Sequence, residues 1–312
     1  MKVVVTGGCG FIGSHLVDRL IKENHKVIVI DNLSSGQKEN LNPVAKFYKL
    51  DILDSKVSEV FRKEKPEIIF HLAAQIDVRK SVEKPIEDAN TNILGSLNIL
   101  ENCKRYKIKK IIFISTGGAI YGEADIVPTP ENYPEFPLSP YGICKLTIEK
   151  YLNYYYKVFR LPFISLRLAN VYGPRQNSKG EAGVVAIFCD KMLLKKQAII
   201  NGDGNQTRDF VFVEDAVEAN ISAMKSDRID VYNIGTGQEV DINTIFRTLN
   251  KMIGNNCKKI HIPSRSCEQR RSSLDSNKAK KELGWEPKMG LDTGLKITKD
   301  WFARHLINNE TS

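Results

Sequence analysis

The chain has 312 residues, 42% of them hydrophobic and 27% charged, with a formal net charge of +9. This suits one large α/β domain with a smaller lobe, and no apolar run reaches the length of a membrane span. The N-terminal strand carries no charged leader or cleavage site, so a cytoplasmic protein with no membrane partner is expected. The basic excess lies in runs such as 104–110 and 191–196, with no aromatic-interleaved groove or nucleic-acid motif. We read it as a solvated surface plus a site for an anionic nucleotide, with no nucleic-acid partner. Six cysteines (9, 103, 144, 189, 257 and 267) show no CxxC pair or nearby histidines, which points to reduced thiols rather than metal or disulfides.

In chain order, a β-branched run at Lys2–Val5 is followed by Gly7, Gly8, Gly10 and Gly13, then by apolar periodicity from Phe11 to Ile21. Strand, glycine turn and helix in that order define a dinucleotide loop. Gly7 makes the tight turn, Gly10 lets a pyrophosphate approach the backbone, and Gly13 lets the helix pack close to the strand. The helix N-terminus then offers free N–H groups to phosphate. A second strand ends in Asp31, eighteen residues beyond Gly13. A carboxylate there accepts both ribose hydroxyls of NAD and repels the 2′-phosphate of NADP. Strands are expected at 3–6, 27–30, 47–50, 68–71, 111–115 and 163–168, with helices at 57–63, 92–106 and 141–159. Their alternation and doubly apolar strands predict a Rossmann-type, doubly wound parallel sheet, with ligands at the carboxyl ends of its strands. Past residue 170 the texture changes. A Gly/Pro-rich loop, a helix at 184–194, a strand running into a helix at 210–224, a strand at 231–234 and a helix at 241–253 precede two terminal helices. The expected division is an NAD-binding domain of 1–170 plus 209–236, and a smaller α/β substrate lobe of 171–208 plus 237–312. The 210–224 and 231–234 segments are expected to continue the main sheet.

Tyr141 and Lys145 form a Y-x-x-x-K pair whose spacing places both side chains on one helical face. A tyrosine of ordinary pKa, roughly 10, is a poor base near neutrality. A neighbouring cation favours the phenolate, and Lys145 with the positive nicotinamide of NAD is expected to supply that field.

The quoted motifs then extend along nearly the whole chain: TGGCGFIGSH at 6–15, DNLSSG at 31–36, LDILD around Asp51, HLAAQIDVRKSVEKP at 71–85, NTNILGSLNILE at 90–101, STGGAIYGE at 115–123, YGICK at 141–145, RLANVYGPRQ at 167–176, NGDGNQTRDFVFVEDA at 201–216 and NKAKKELGW at 277–285. In this combination the sequence resembles the extended short-chain dehydrogenase/reductases, and within them the UDP-glucose (UDP-galactose) 4-epimerases. The resemblance implies NAD as cofactor, a UDP-sugar substrate and a homodimer. It implies that Asp31 and Asn32 hold the adenosine ribose, that Asp51 and Ile52 hold the adenine, and that Ala73 and Ala74 line the nicotinamide with Asn92 nearby. Phe11, Ile12, Ser35, Gly36, Leu72, Gln75 and Ser115 complete the implied cofactor set with Tyr141 and Lys145. On the substrate side it implies Lys84, Thr116, Gly117, Gly118, Tyr141, Asn170 at the diphosphate, Val184, and Arg208, Arg265 and Glu268 at the phosphates and uridine ribose.

The implied reaction is internal redox, in which Tyr141 takes the proton of the sugar 4-hydroxyl, NAD takes the C4 hydride, and hydride returns to the other face. Many such epimerases place a serine or threonine where this chain has Gly117, so Thr116 is chosen as the hydroxyl partner, with Ser115 as the alternative. Relatives that dehydrate sugars carry an Asp-Glu pair after the threonine, and those that decarboxylate UDP-glucuronate keep a glutamate. Gly117 and Gly118 favour epimerisation over both. UDP-glucuronate epimerisation, or NAD binding without catalysis, are the other readings. Ser272, in place of a large aromatic residue, implies room for an N-acetyl group at C2. The implied dimer pairs the helices at 92–106 and 141–159 through Ile93, Leu97, Leu100, Leu146, Tyr151 and Leu152, faces that would equally pack on the sheet.

Overall fold

Val3, Val4 and Val5 are each fully buried, so successive side chains of the first strand enter opposite layers of the protein. Burying each contributes roughly 1.5–3 kcal/mol. In the computed structural model, which describes residues 1–178, 183–263 and 269–310, this strand is the centre of the fold. The elements are β1 (Lys2–Thr6), α1 (Phe11–Lys22), β2 (Lys26–Asp31), β3 (Lys46–Lys49), α2 (Val57–Glu64), β4 (Ile68–His71), α3 (Val78–Glu83) and α4 (Pro85–Ala89). A π-helical turn, Asn90–Leu94, leads into α5 (Gly95–Arg105), β5 (Lys110–Thr116), α6 (Gly117–Ile120), α7 (Pro140–Phe159), β6 (Phe163–Leu168) and β7 (Asn170–Tyr172). Then come α8 (Val184–Leu193), β8 (Ala198–Asn201), β9 (Thr207–Arg208), β10 (Phe210–Phe212), α9 (Val213–Lys225), β11 (Asp230–Ile234) and β12 (Val240–Asp241). The chain ends with α10 (Ile242–Ile253), β13 (Lys259–Ile262), α11 (Asn277–Leu283) and α12 (Leu291–Glu310).

The main sheet has seven strands in the order β11-β6-β5-β4-β1-β2-β3, and every neighbouring pair is parallel. Strand order reverses between β1 and β4, and a crevice for ligands opens there at the carboxyl ends. On one face Leu16, Val17 and Leu20 of α1 and Val217 and Ile221 of α9 pack on Val3, Val5, Ile112 and Ile114. On the other, α2, α5 and α7 pack on Val4, Ile69, Ile111 and Phe113. The fold is therefore the doubly wound one expected. A third core joins α8, α10 and α12 with Ile200, Phe210 and Phe212.

The strand at 230–234 does continue the main sheet, but β10 does not. It pairs with β7 in a separate two-stranded piece, and its phenylalanines fill the third core. Leu100 and Leu152 pack on the sheet, whereas Leu94, Ile143, Tyr151, Tyr154 and Val158 remain exposed. Among the described residues, no helix is long and apolar enough to cross a membrane. The described cysteines, Cys9, Cys103, Cys144, Cys189 and Cys257, are unpaired.

Candidate active site

The glycine loop is held by contacts that only glycine permits. Gly7 has φ +72°, and a Cβ there would lie 2.8 Å from the Ala73 nitrogen. At Gly13 a Cβ would fall 2.1 Å from the Gly7 carbonyl, because α1 crosses directly over the turn. Gly10 precedes α1 in extended conformation with no side-chain cap, so the first N–H groups at Phe11, Ile12 and Gly13 face outward unclaimed by side chains. Asp31 is buried beside this loop. One oxygen accepts from the Cys9 N–H (2.9 Å), the other from the Leu33 N–H (2.8 Å). Gly36 lies so close that a Cβ would sit 3.0 Å from both oxygens, next to Ser35. Asn32 donates to Asp51 (2.7 Å), which also accepts from the Leu53 N–H, and Ile52 is buried against Gly95. These residues form one cradle, with an uncapped helix end for a pyrophosphate and a carboxylate for a ribose, and so they fit NAD.

At the other end of the cradle, the strap Leu72–Gln75 is fixed by a directed hydrogen-bond chain. The Ala73 N–H donates to Thr6 Oγ1 (3.2 Å), which lies 2.7 Å from His71 Nδ1; His71 Nε2 lies 2.9 Å from Ser96 Oγ, and Ser96 donates to the Asn92 carbonyl. Burial, with Lys145 nearby, pushes His71 down to about 3, so it remains neutral near neutrality. Asn92 stands in the π-helical turn, a feature often found at functional sites. Its side chain accepts from the Gln75 N–H and donates to the Gln75 carbonyl, both at 2.9 Å. Ala74 lies between these anchors and is half-buried.

Ser139 caps α7 through the Gly142 N–H, Pro140 sets the first turn, and the Tyr141 N–H donates to Ser81 (3.2 Å). Lys145, buried, donates to the Ile114 carbonyl (2.8 Å) and lies 4.7 Å from the Phe113 ring centroid and 5.9 Å from that of Tyr141. The pair is therefore together on one face. Its electrostatics differ from the sequence expectation. Burial, followed by the Asp88 carboxylate, pushes Tyr141 above its ordinary value, and burial brings Lys145 down to about 8. In the protein alone, desolvation outweighs the lysine field.

Ser115 is buried with an Oγ that has no partner among the described residues, while Thr116 is half-buried where β5 turns into α6. A Cβ on Gly117 would meet Leu274 at 2.4 Å, so Leu274 occupies the space a serine would need; one on Gly118 would come no nearer than 3.8 Å to Asn170 Oδ1. Leu274 is held by Asp209, whose carboxylate accepts from Leu274, Thr236 and Gly237 N–H groups. Asn170 is exposed beside Gly118, and Ser272 is half-buried. Arg208 donates to the Thr207 and Gln269 carbonyls (2.7 and 2.8 Å). Val184 opens α8, half-buried, while Lys84 is exposed with its ammonium on Glu87 (2.9 Å). Arg265 and Glu268 lie outside the described residues. The sequence reading missed Asp88, Asp209 and the Thr6–His71–Ser96 chain. The i, i+4 spacing of Asp88 and Asn92, which sets them on one helical face, is the signal the sequence carries, whereas the burial of Asp88 is visible only in the fold.

A glycine loop on a doubly wound sheet, a ribose-type carboxylate and a Tyr-Lys pair at the strand ends define a dinucleotide-dependent enzyme fold. The sequence model of the NAD dependent epimerase/dehydratase family matches residues 3–235, and the chain belongs to that family. It is 46% identical over 309 residues to a putative UDP-glucose 4-epimerase of Methanocaldococcus jannaschii, covering 99% of this chain and 100% of that protein. The crystal structure of a UDP-glucose 4-epimerase with UDP-glucose from Thermotoga maritima superposes with a TM-score of 0.97 at 49% identity, covering 98% of this chain and 100% of the other. A UDP-glucose 4-epimerase from Thermus thermophilus in complex with NAD gives 0.93 at 40% identity, covering 97% and 99%.

Proposed function

We propose that the chain is an NAD-dependent 4-epimerase of UDP-hexoses, interconverting UDP-glucose and UDP-galactose and accepting the N-acetylated pair as well. The carrying observation is the Tyr141–Lys145 pair on one face of α7, with the ammonium held on the Ile114 carbonyl at the end of the NAD cradle. Bound NAD would supply a hydride acceptor and a positive ring charge. Tyr141 takes the proton of the C4 hydroxyl and later returns it; Thr116 hydrogen-bonds that hydroxyl, with Ser115 as the second hydroxyl in reach. Burial keeps Tyr141 a phenol in the free protein, so its use as a base depends on the positive charge gathered around it. Asn170, Arg208, Arg265 and Glu268 hold the UDP while the 4-keto sugar turns over, and Ser272 leaves room at C2. Gly117 and Gly118 carry no proton donor, which supports epimerisation over loss of water. The lobe of 171–208 plus 237–312 closes the sugar site. The exposed apolar side chains Ile143, Tyr151, Tyr154 and Val158 of α7, with Leu94, support a homodimer through these helices in the cytoplasm.

The test is product analysis without added cofactor, on UDP-glucose, UDP-N-acetylglucosamine and UDP-glucuronate separately, by mass and proton NMR. Unchanged mass with an inverted C4 signal is expected for the first two. Loss of water or carbon dioxide would replace the proposal with dehydration or decarboxylation. No change in any of the three would overturn the proposal in favour of another nucleotide sugar or a binding role.

A further inference from the structure

Asp88 is 1% exposed, yet nothing in the reaction proposed above uses it. One oxygen accepts from Gln75 Nε2 and Asn92 Nδ2, both at 2.9 Å. The Asn92 side chain ties the Leu72–Gln75 strap to the π-helical turn, and the Gln75 side chain bonds the Asp77 backbone as well. The other oxygen is buried beside the Cys144 thiol, a weak donor, and has no N–H or O–H partner among the described residues. A carboxylate out of water with one oxygen left to a weak thiol donor is costly, and it persists where a nearby positive charge compensates it. α4 packs against α7. Behind burial, the carboxylate also raises Tyr141 and Cys144, and it opposes the lowering of Lys145, all in the first turns of α7.

We propose that Asp88 is a positioning residue of this site: one oxygen orients Gln75 and Asn92, and its buried carboxylate, packed by α4 against the first turns of α7, is the anion that faces the Tyr141–Lys145 pair. This rests on the reading of Tyr141 and Lys145 as the proton-transfer pair. The surrounding charges do not replace it. Glu149, one turn beyond Lys145, is bound by Arg167 at 2.6 Å, and Arg167 also holds Glu135. Cys144 is pushed up to about 12 by burial and then by Asp88, so it is a neutral thiol. His71 is neutral as well. The charges of α3 (Arg79, Lys80 and Glu83) are exposed, as are Lys84 and Glu87 of the α3–α4 corner, and Asp77 caps α3 through the Lys80 N–H. Desolvation pulls Lys145 down, and Asp88 is the foremost group opposing it. Removing that anion lowers the proton affinity of both the ammonium and the phenol, so both limbs of the pH profile move the same way.

Asp88→Asn keeps the shape and an acceptor for Gln75 and Asn92 while removing the charge. The kcat/KM profile on UDP-glucose is expected to move to lower pH as a whole, by about one unit or more. In protein labelled at the lysine ε-carbon, with Lys145→Arg assigning the resonance, the Lys145 titration midpoint should fall by a similar amount. Asp88→Glu should move both back toward the unaltered protein. A lower kcat with unmoved limbs and an unmoved Lys145 midpoint would overturn the proposal and leave Asp88 a packing residue. If the unaltered protein epimerises no UDP-hexose, the function proposed above fails, whereas the Lys145 midpoint still decides the role of Asp88.

Discussion

At the cofactor end of the cleft, Asp31 takes N–H groups from Cys9 and Leu33 within 2.9 Å, and Gly7 and Gly13 leave no room for a Cβ against neighbouring backbone. At the proposed sugar end, Arg208 donates to the Thr207 and Gln269 carbonyls, Asn170 stands exposed, and Asp209 gathers N–H groups from residues 236, 237 and 274. The Gly13 and Asp31 part of the cofactor end is thus made within one βαβ unit, by constraints between residues close in sequence, and only the strap at Ala73 that closes on Gly7 comes from farther along the chain. The sugar end is assembled from segments far apart in the chain, and its polar groups hold those segments together. In the proposed reaction the cofactor stays bound and needs a preformed bed, whereas the sugar turns over and needs room between its anchors.

The largest effect should come where the two ends meet. Tyr141→Phe is expected to lower turnover ~10²–10⁴-fold while leaving bound NAD in place; a nearly active variant would separate the seam from the chemistry. Asp31→Ala should weaken NAD about 10–100-fold with UDP affinity little changed, measured by calorimetry on the stripped protein. The reverse pattern would break the division into two ends. Ser272→Tyr should reduce activity on UDP-N-acetylglucosamine by about tenfold relative to UDP-glucose, and equal loss on both would remove Ser272 from the C2 pocket. Gly117→Ser should be mildest, destabilising the fold by ~1–3 kcal/mol in denaturant titration as Leu274 is displaced. No loss would mean that Leu274 moves freely.

The same contrast explains what was legible in the sequence. Gly7, Gly13 and Asp31 could be read because a strand, a tight turn and a helix leave a local pattern, and their cradle is built from neighbours. The order of the strands through β6, with α1, α2, α5 and α7 between them, followed from apolar runs for the same reason, while the short α3, α4 and α6 left no such pattern. The two-residue strands β9 and β12 and the β8–β13 pair carry no usable periodicity, and β10 reads like a core strand although its partner is β7. Asp88 reads as surface charge beside Glu87, and only packing of α4 on α7 buries it. The raised Tyr141 was illegible because spacing reports the neighbouring lysine but not the loss of water around the phenol. Gly117 was seen as a departure, but its cause, Leu274, lies more than a hundred residues away.

The most direct test of internal redox at C4 uses UDP-glucose carrying deuterium at that carbon, incubated with the purified protein without added cofactor. Proton NMR and mass spectrometry of the UDP-galactose formed should show the deuterium retained at C4, with the total mass unchanged. Deuterium lost to water, or appearing at another carbon, would contradict hydride removal and return at one carbon within a single closed site.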